Sequence, residues 1–265
     1  MRKRLIAGAI LLMASLSTAS AQQPPVLLHA AGSLRAALTD VANAFSDETR
    51  VPVRAIFGAS GLLRERIEKG EPAEVFASAD RGNPEALAKA GRAGPVASFA
   101  RNALCAFTRP EVAATTETLL ERMLDPAIRL GTSTPKADPS GDYAWHLFAR
   151  AEALRPGAQA ALEAKALQLT GGPTSPRGPE GRNLYGHVLA SGQADIFLAY
   201  CTNAGPIATE EPTLRQVALP PALVVGAEYG LTLVNGASPN AGRLAMFIAS
   251  PAGQAILRRY GFAAP

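Results

Sequence analysis

From position 26 onward the chain alternates short apolar runs with stretches whose apolar residues recur at every third or fourth position. Residues 26–31 read as a strand, and Leu34, Ala37, Leu38, Val41, Ala44 and Phe45 then fall at helical spacing over about three turns. A second strand over 51–57 leads into a helix over 62–69, closed by Gly70. A third strand over 75–77 leads into a helix that Asn83 caps, with Pro84 in its first turn and Gly91 after its last. Strand and helix in strict alternation predict right-handed crossovers and a mainly parallel sheet.

A second block starts near Asn102. It reads as a strand over 103–107, a helix over 116–124, a strand over 128–131 and a helix over 141–153, with Pro156 opening another. The Gly- and Pro-dense stretch 171–181 is a loop. A helix over 184–191 ends at Gly192, and 194–200 is a buried strand. The tail returns to the first style, with a strand over 229–234 and helices over 239–250 and 251–260. No internal repeat interrupts the pattern. Two α/β lobes, with the chain crossing between them more than once, are the economical arrangement.

The first 21 residues fall outside this alternation. Arg2, Lys3 and Arg4 precede an apolar stretch over 5–16, and Ala19-Ser20-Ala21 has the small-x-small form of a signal-peptidase site, predicting cleavage after Ala21. The apolar run is too short to span a bilayer, so the expected product is an exported, periplasmic protein. Export also changes the charge. The formal +4 includes three basic residues of the leader, and their loss leaves 23 basic against 22 acidic residues. A nearly neutral chain without a basic stripe is not built for nucleic acid. With 48% hydrophobic and 18% charged residues, the composition is that of a globular protein. In an oxidising compartment Cys105 and Cys201 are permitted to form a disulfide; two separate buried thiols are the alternative.

Candidate chemistry concentrates at turns. Gly32-Ser33, Gly58-Ala59-Ser60-Gly61 and Pro139-Ser140-Gly141 each lie where a strand gives way to a helix. Open α/β folds place ligands at that edge, and a helix start there offers free N–H groups and a positive dipole end to an anion. One such turn means little, because Ser is a common N-cap; three together point to an anion. A periplasmic hydrolase is the far weaker alternative. Ser60 does not sit in a G-x-S-x-G elbow, and His29, His146 and His187 make no local metal cluster. His29 reads as a core residue, whereas His146 is near Ser140 on its helix.

Several separated motifs together resemble the periplasmic molybdate-binding protein family. They are Ala30-Ala31-Gly32-Ser33-Leu34, Phe57-Gly58-Ala59-Ser60-Gly61, Ala73-Glu74-Val75-Phe76-Ala77-Ser78-Ala79-Asp80, Ala100-Arg101-Asn102, and Gln254-Ala255-Ile256-Leu257 running into Tyr260-Gly261-Phe262. The resemblance covers essentially everything after the leader. It implies a two-lobe type II periplasmic-binding fold that closes by a hinge on a ligand in its cleft, with one lobe over 22–101 and 229–265 and the other over 102–228. It implies a non-enzymatic receptor, acting as a monomer, that delivers a tetrahedral oxyanion, molybdate or tungstate, to the permease of an ABC importer, with no cofactor and no metal cation. Sulfate, phosphate and a small organic acid are the alternative ligands. The family's ligand positions map onto Ser33, Ser60, Ser140, Tyr200 and, near the start of the 184–191 helix, Arg182 or Asn183, of which Asn183 is taken. One departure stands out. Asp142 follows Ser140-Gly141 in a helix expected to face a dianion, and if directed inward it favours a protonated oxyanion. Lys136 and Arg177 lie in loops that could rim the cleft.

Overall fold

The structure is a computed structural model and describes residues 23–265. The leader reading, residues 1–21, lies outside the described residues. The chain forms β1 (Val26–Ala31), α1 (Arg35–Thr49), β2 (Val53–Gly58), α2 (Ser60–Glu68), β3 (Val75–Ser78) and α3 (Gly82–Lys89). β1 runs parallel to both β2 and β3. The apolar face of α1, with Ala37, Leu38, Val41 and Phe45 buried, covers this sheet as its spacing predicts.

Then follow β4 (Ala97–Thr108), α4 (Leu119–Leu124), β5 (Leu130–Ser133), α5 (Pro139–Leu154), α6 (Ala158–Lys165), β6 (Leu167–Thr170), α7 (Leu184–Ala190) and β7 (Ile196–Tyr200). The chain continues through α8 (Ala204–Glu210), β8 (Arg215–Val217) and β9 (Gly226–Leu233) to α9 (Pro239–Ala249) and α10 (Pro251–Arg259). The strand order is β2-β1-β3-β9-β4-β7-β5-β6, with β8 on β4. β4 joins the two halves. Its first part, from Ala97 to Ala103, pairs with β9, and its second, from Leu104 to Thr108, pairs with β7.

The mainly parallel expectation holds only inside each half. The strands at the junction, β9 and β4, run antiparallel to their neighbours, because a chain that leaves one half and returns traverses the boundary in both directions. Local competition moves some boundaries. α4 starts at Leu119 rather than 116, since Thr115 and Thr118 engage each other's backbone N–H in a polar turn. Asn83 lies inside α3 rather than capping it; Arg81 holds the N-cap position without a side-chain bond, and Asp80 before it accepts from the Asn83 N–H through Oδ1 at 3.1 Å and from Asn83 Nδ2 through Oδ2 at 2.8 Å. β6, α8 and β8 were not foreseen, having four, seven and three residues.

Cys105 and Cys201 are joined by a disulfide, with Cα atoms 5.0 Å apart and a sequence separation of 96. It ties the residue after Tyr200 to β4. No helix among the described residues is long and apolar enough to cross a membrane.

Candidate functional site

The carboxyl ends of the parallel strands converge where the two halves meet. β1 ends at Ala31 and turns through a short 3-10 helix, Gly32–Leu34, into α1. β2 ends at Gly58, and Ala59 precedes α2. Across the cleft, β5 leads to Asp138, the N-cap of α5, and β7 ends at Tyr200. Together with Ala79 after β3 and Tyr185 in the first turn of α7, these elements enclose a cavity of ≈ 30 Å³. At about 10–15 Å³ per water, that is room for a very small solute.

Its polar lining is mostly hydroxyl and backbone N–H. Ser60 is fully buried, and its Oγ accepts from the Ala79 N–H at 3.1 Å, which leaves the hydroxyl proton free to be donated. Ser33 Oγ shares a 3.0 Å hydrogen bond with the Tyr229 hydroxyl, itself reached by Asn102 Nδ2 at 3.3 Å. If Tyr229 donates, Ser33 is free to donate into the cavity. Tyr200 is buried and spans the cleft, donating to the Ala79 carbonyl at 3.3 Å. No side chain caps α2, and of its first-turn N–H groups that of Gly61 is taken by the Ala137 carbonyl. Among the described residues, no Lys or Arg lines the cavity.

One ionisable carboxyl does. Asp138 Oδ1 accepts from the Ser140 N–H at 3.0 Å. Burial pushes its pKa up to about 6; the Ser140 N–H and the Ser133 hydroxyl pull the other way, while the Asp142 and Asp80 carboxylates add to the rise. Burial likewise raises the Tyr185 and Tyr200 hydroxyls, keeping both protonated as donors.

The halves touch beside the cavity. The Gly61 N–H, in the first turn of α2, donates to the Ala137 carbonyl at 2.9 Å. Lys136 holds a left-handed φ of 68°, and its N–H is fixed by Asp142 Oδ1 at 2.8 Å.

Ser33, Ser60 and Tyr200 are thus brought together around one cavity. Ser140 and Asn183 are not among its lining residues. The Ser140 N–H is taken by Asp138, and its buried Oγ has no partner among the described residues. Asn183 caps α7, its Oδ1 accepting from the Gly186 N–H at 3.0 Å, and its Nδ2 donates to Asn203 Oδ1. Asp142 lines a neighbouring, open hollow of ≈ 470 Å³ with Asp80, Arg81, His146 and Glu228. Arg177 is exposed. Asp138 and Tyr185 were missed in the sequence. Asp138 stands directly before the Pro139-Ser140-Gly141 turn, so the turn itself pointed to it.

Comparison with known proteins places the chain. The profile described as Bacterial extracellular solute-binding protein matches residues 26–263. An uncharacterised protein of Pasteurella multocida is 39% identical over 175 residues, 66% of this chain and 73% of that protein. Molybdate-binding protein ModA of Mycobacterium tuberculosis is 28% identical over 253 residues, 91% of this chain and 85% of the relative. Among solved structures, the Azotobacter vinelandii periplasmic molybdate-binding protein superposes with a TM-score of 0.71 at 19% identity, covering 91% of this chain and 99% of that one. The fold is therefore the two-lobe α/β fold of periplasmic binding proteins, and the chain belongs to the bacterial extracellular solute-binding proteins, a family that binds solutes rather than transforming them.

Proposed function

We propose that this protein is the periplasmic receptor of an ABC importer and captures a single tetrahedral oxyanion between its lobes, with molybdate and tungstate the first candidates. The observation that carries the reading is the ≈ 30 Å³ cavity whose polar lining is formed by Ser33, Ser60, Tyr185 and Tyr200 with the Asp138 carboxyl, and by no cationic side chain. An oxyanion accepts hydrogen bonds and donates few or none, so hydroxyls and helix-start N–H groups satisfy it without a fixed counter-charge. The small volume favours an inorganic ion over a phosphate ester. The names of the Mycobacterium tuberculosis and Azotobacter vinelandii relatives support molybdate as the first ion to try.

On this reading the lobes comprise residues 22–101 with 229–265, and 102–228, and β4 and β9 are the hinge. The leader is removed on export. Ser33 and Ser60 donate from the first lobe and Tyr185 from the second, with Tyr200 joining them when its hydroxyl turns from the Ala79 carbonyl to the anion, while Ser140 acts through the Asp138 carboxyl that it orients.

Thermal unfolding against molybdate, tungstate, sulfate, phosphate and thiosulfate tests the reading. A ligand at about 1,000 times its Kd stabilises by roughly 4 kcal/mol, a rise of roughly 8–16 °C in a chain of this size. Indifference to every anion overturns it.

A second reading rests on Asp138. A carboxyl in the wall of an anion cavity favours an oxyanion that still carries a proton, hydrogen phosphate being the simplest.

A further inference from the structure

We propose that Asp138 makes this receptor bind its oxyanion together with one proton, held between the Asp138 carboxyl and an oxygen of the anion. This rests on the oxyanion reading and adds to it what the cavity selects: an anion–proton pair rather than a bare dianion.

The geometry holds Asp138 in the wall. As N-cap of α5 it is tethered through Oδ1 to the Ser140 N–H at 3.0 Å. Gly171, at φ +73°, makes room for the other carboxylate oxygen, since a Cβ there would lie 2.5 Å from both Oδ2 and Cβ of Asp138. The carboxyl is thus seated between the start of α5 and the Gly171 backbone.

The Ser140 N–H at the start of α5 and the Ser133 hydroxyl favour the carboxylate, but among the described residues no cationic side chain lines the cavity to offset its charge. From its own helix comes Asp142, from the β3–α3 turn Asp80, and from α7 and β7 the Tyr185 and Tyr200 hydroxyls. Lys136, two residues away, is exposed, and its N–H serves Asp142. His146 and Arg81 line the neighbouring hollow, not this cavity. An ionised carboxylate and a dianion in one water-poor cavity repel each other, and a shared proton turns that repulsion into a charge-assisted hydrogen bond. Two carboxylates sharing one proton solve the same conflict in acid proteases. Burial already lifts Asp138 to about 6 before any anion enters, so the proton is close at hand.

Two classes of oxyanion then behave differently. Hydrogen phosphate brings the proton with it. Molybdate, tungstate and sulfate, fully deprotonated at neutral pH, must draw one from solvent.

The test is isothermal calorimetry of the folded, leader-free protein with molybdate, sulfate and phosphate from pH 6.5 to 8.5, in two buffers of different ionisation enthalpy to count protons. The wild type is expected to take up about one proton per molybdate or sulfate, and those affinities should fall by about tenfold per pH unit above 7. Phosphate at pH 8 should bind without uptake. In Asp138→Asn the amide donates where the shared proton stood. It should bind molybdate and sulfate with no proton uptake and a flat pH profile, and it should lose affinity for phosphate. The wild-type proton count stands by itself should the variant fold poorly. Molybdate or sulfate binding to the wild type with no proton uptake and no pH dependence overturns the proposal while leaving the oxyanion reading intact. If no anion binds either protein, the oxyanion reading falls, and this inference with it.

Discussion

Gly61 offers the sharpest perturbation of closure without touching the cavity wall. It lies in the first turn of α2 with ordinary helical geometry, so its backbone does not demand glycine. Space does. A Cβ at this position would lie 2.3 Å from the Lys136 carbonyl oxygen and 2.7 Å from that of Ala137, whereas a carbon and an oxygen settle at about 3.3–3.6 Å. The opposing loop would have to retreat by roughly 1 Å. It is poorly placed to do so in part, because Lys136 is held at φ 68° and its N–H is tied to Asp142. The simpler response is for the lobe to stay open. Tyr200 already reaches Ala79 at only 3.3 Å and would lose that bond.

Gly61→Ala should therefore remove the donors of one lobe from the bound anion. With two lost at roughly 1.5 kcal/mol each, the low end for bonds to a charged group, affinity falls by about 3 kcal/mol, on the order of a hundredfold. The ligand-free protein should not suffer, since Ala is favoured over Gly in a helix by roughly 0.5–1 kcal/mol. Calorimetric titration with the best anion of the panel measures the first quantity and thermal unfolding without ligand the second; small-angle scattering should show the variant remaining extended when ligand is added. Wild-type affinity in Gly61→Ala would refute the claim that the two carbonyls set the closed spacing. A large loss of ligand-free stability would show instead that α2 itself needs the glycine.

Ser60→Ala should weaken anion binding by about 1.5–3 kcal/mol and also leave the buried Ala79 N–H without its acceptor, costing about 1–3 kcal/mol of stability; unchanged affinity by titration would remove Ser60 from the site. Replacing Cys105 and Cys201 together with Ala should lower stability by about 2–4 kcal/mol and Tm by roughly 4–16 °C, and treating the wild type with reductant should give the same fall; a loss under 2 °C would mean the bond constrains little. Asp138→Asn should change stability in a pH-dependent way. The carboxyl is raised to about 6 in the fold, so its acid form favours folding below about 4 and that advantage is lost as pH rises through 6. The Asn variant keeps an N-cap and should match the wild type near pH 4 but exceed it by about 1–3 kcal/mol at pH 7–8, measured by urea unfolding. A gap that shrinks as pH rises would reverse the sign of the argument.

Much of the fold was legible because its signals are local. The apolar run of β1, the spacing of α1 and the paired Pro starts of α9 and α10 each specify an element within a dozen residues. β8 has three residues, and pairing with β4 is what makes it a strand. β4 extends six residues before the predicted start at 103, because its early part is held by β9, which lies more than a hundred positions later. The site divides in the same way. Ser33 and Ser60 stand at strand-to-helix turns that the pattern exposes. Asp138, not singled out in the sequence, caps α5; that it also lines one cavity with the β1 and β2 turns depends on how the lobes meet, which no local pattern encodes. Asp142 stands in the first turn of the helix after Ser140, yet the helix turns that side chain toward Lys136 and the open hollow.

The placement of Asp138 also joins selectivity to closure. Asp138 belongs to the same β5–α5 connection whose Lys136 and Ala137 carbonyls meet Gly61 across the cleft. A force on its carboxyl is therefore a force on the segment that makes the closing contact. With a proton shared, the carboxyl and the anion attract, and the connection is drawn onto α2. Without one, the same two groups repel across a wall that carries no cation, and the Gly61–Ala137 hydrogen bond must resist them, though a single neutral bond contributes only about 0.5–1.5 kcal/mol net. Discrimination by charge state then needs no pocket reshaped to each ion. A bare dianion of suitable size can enter the cleft, but the lobes do not stay shut on it, and a receptor that fails to close fails to hold its ligand.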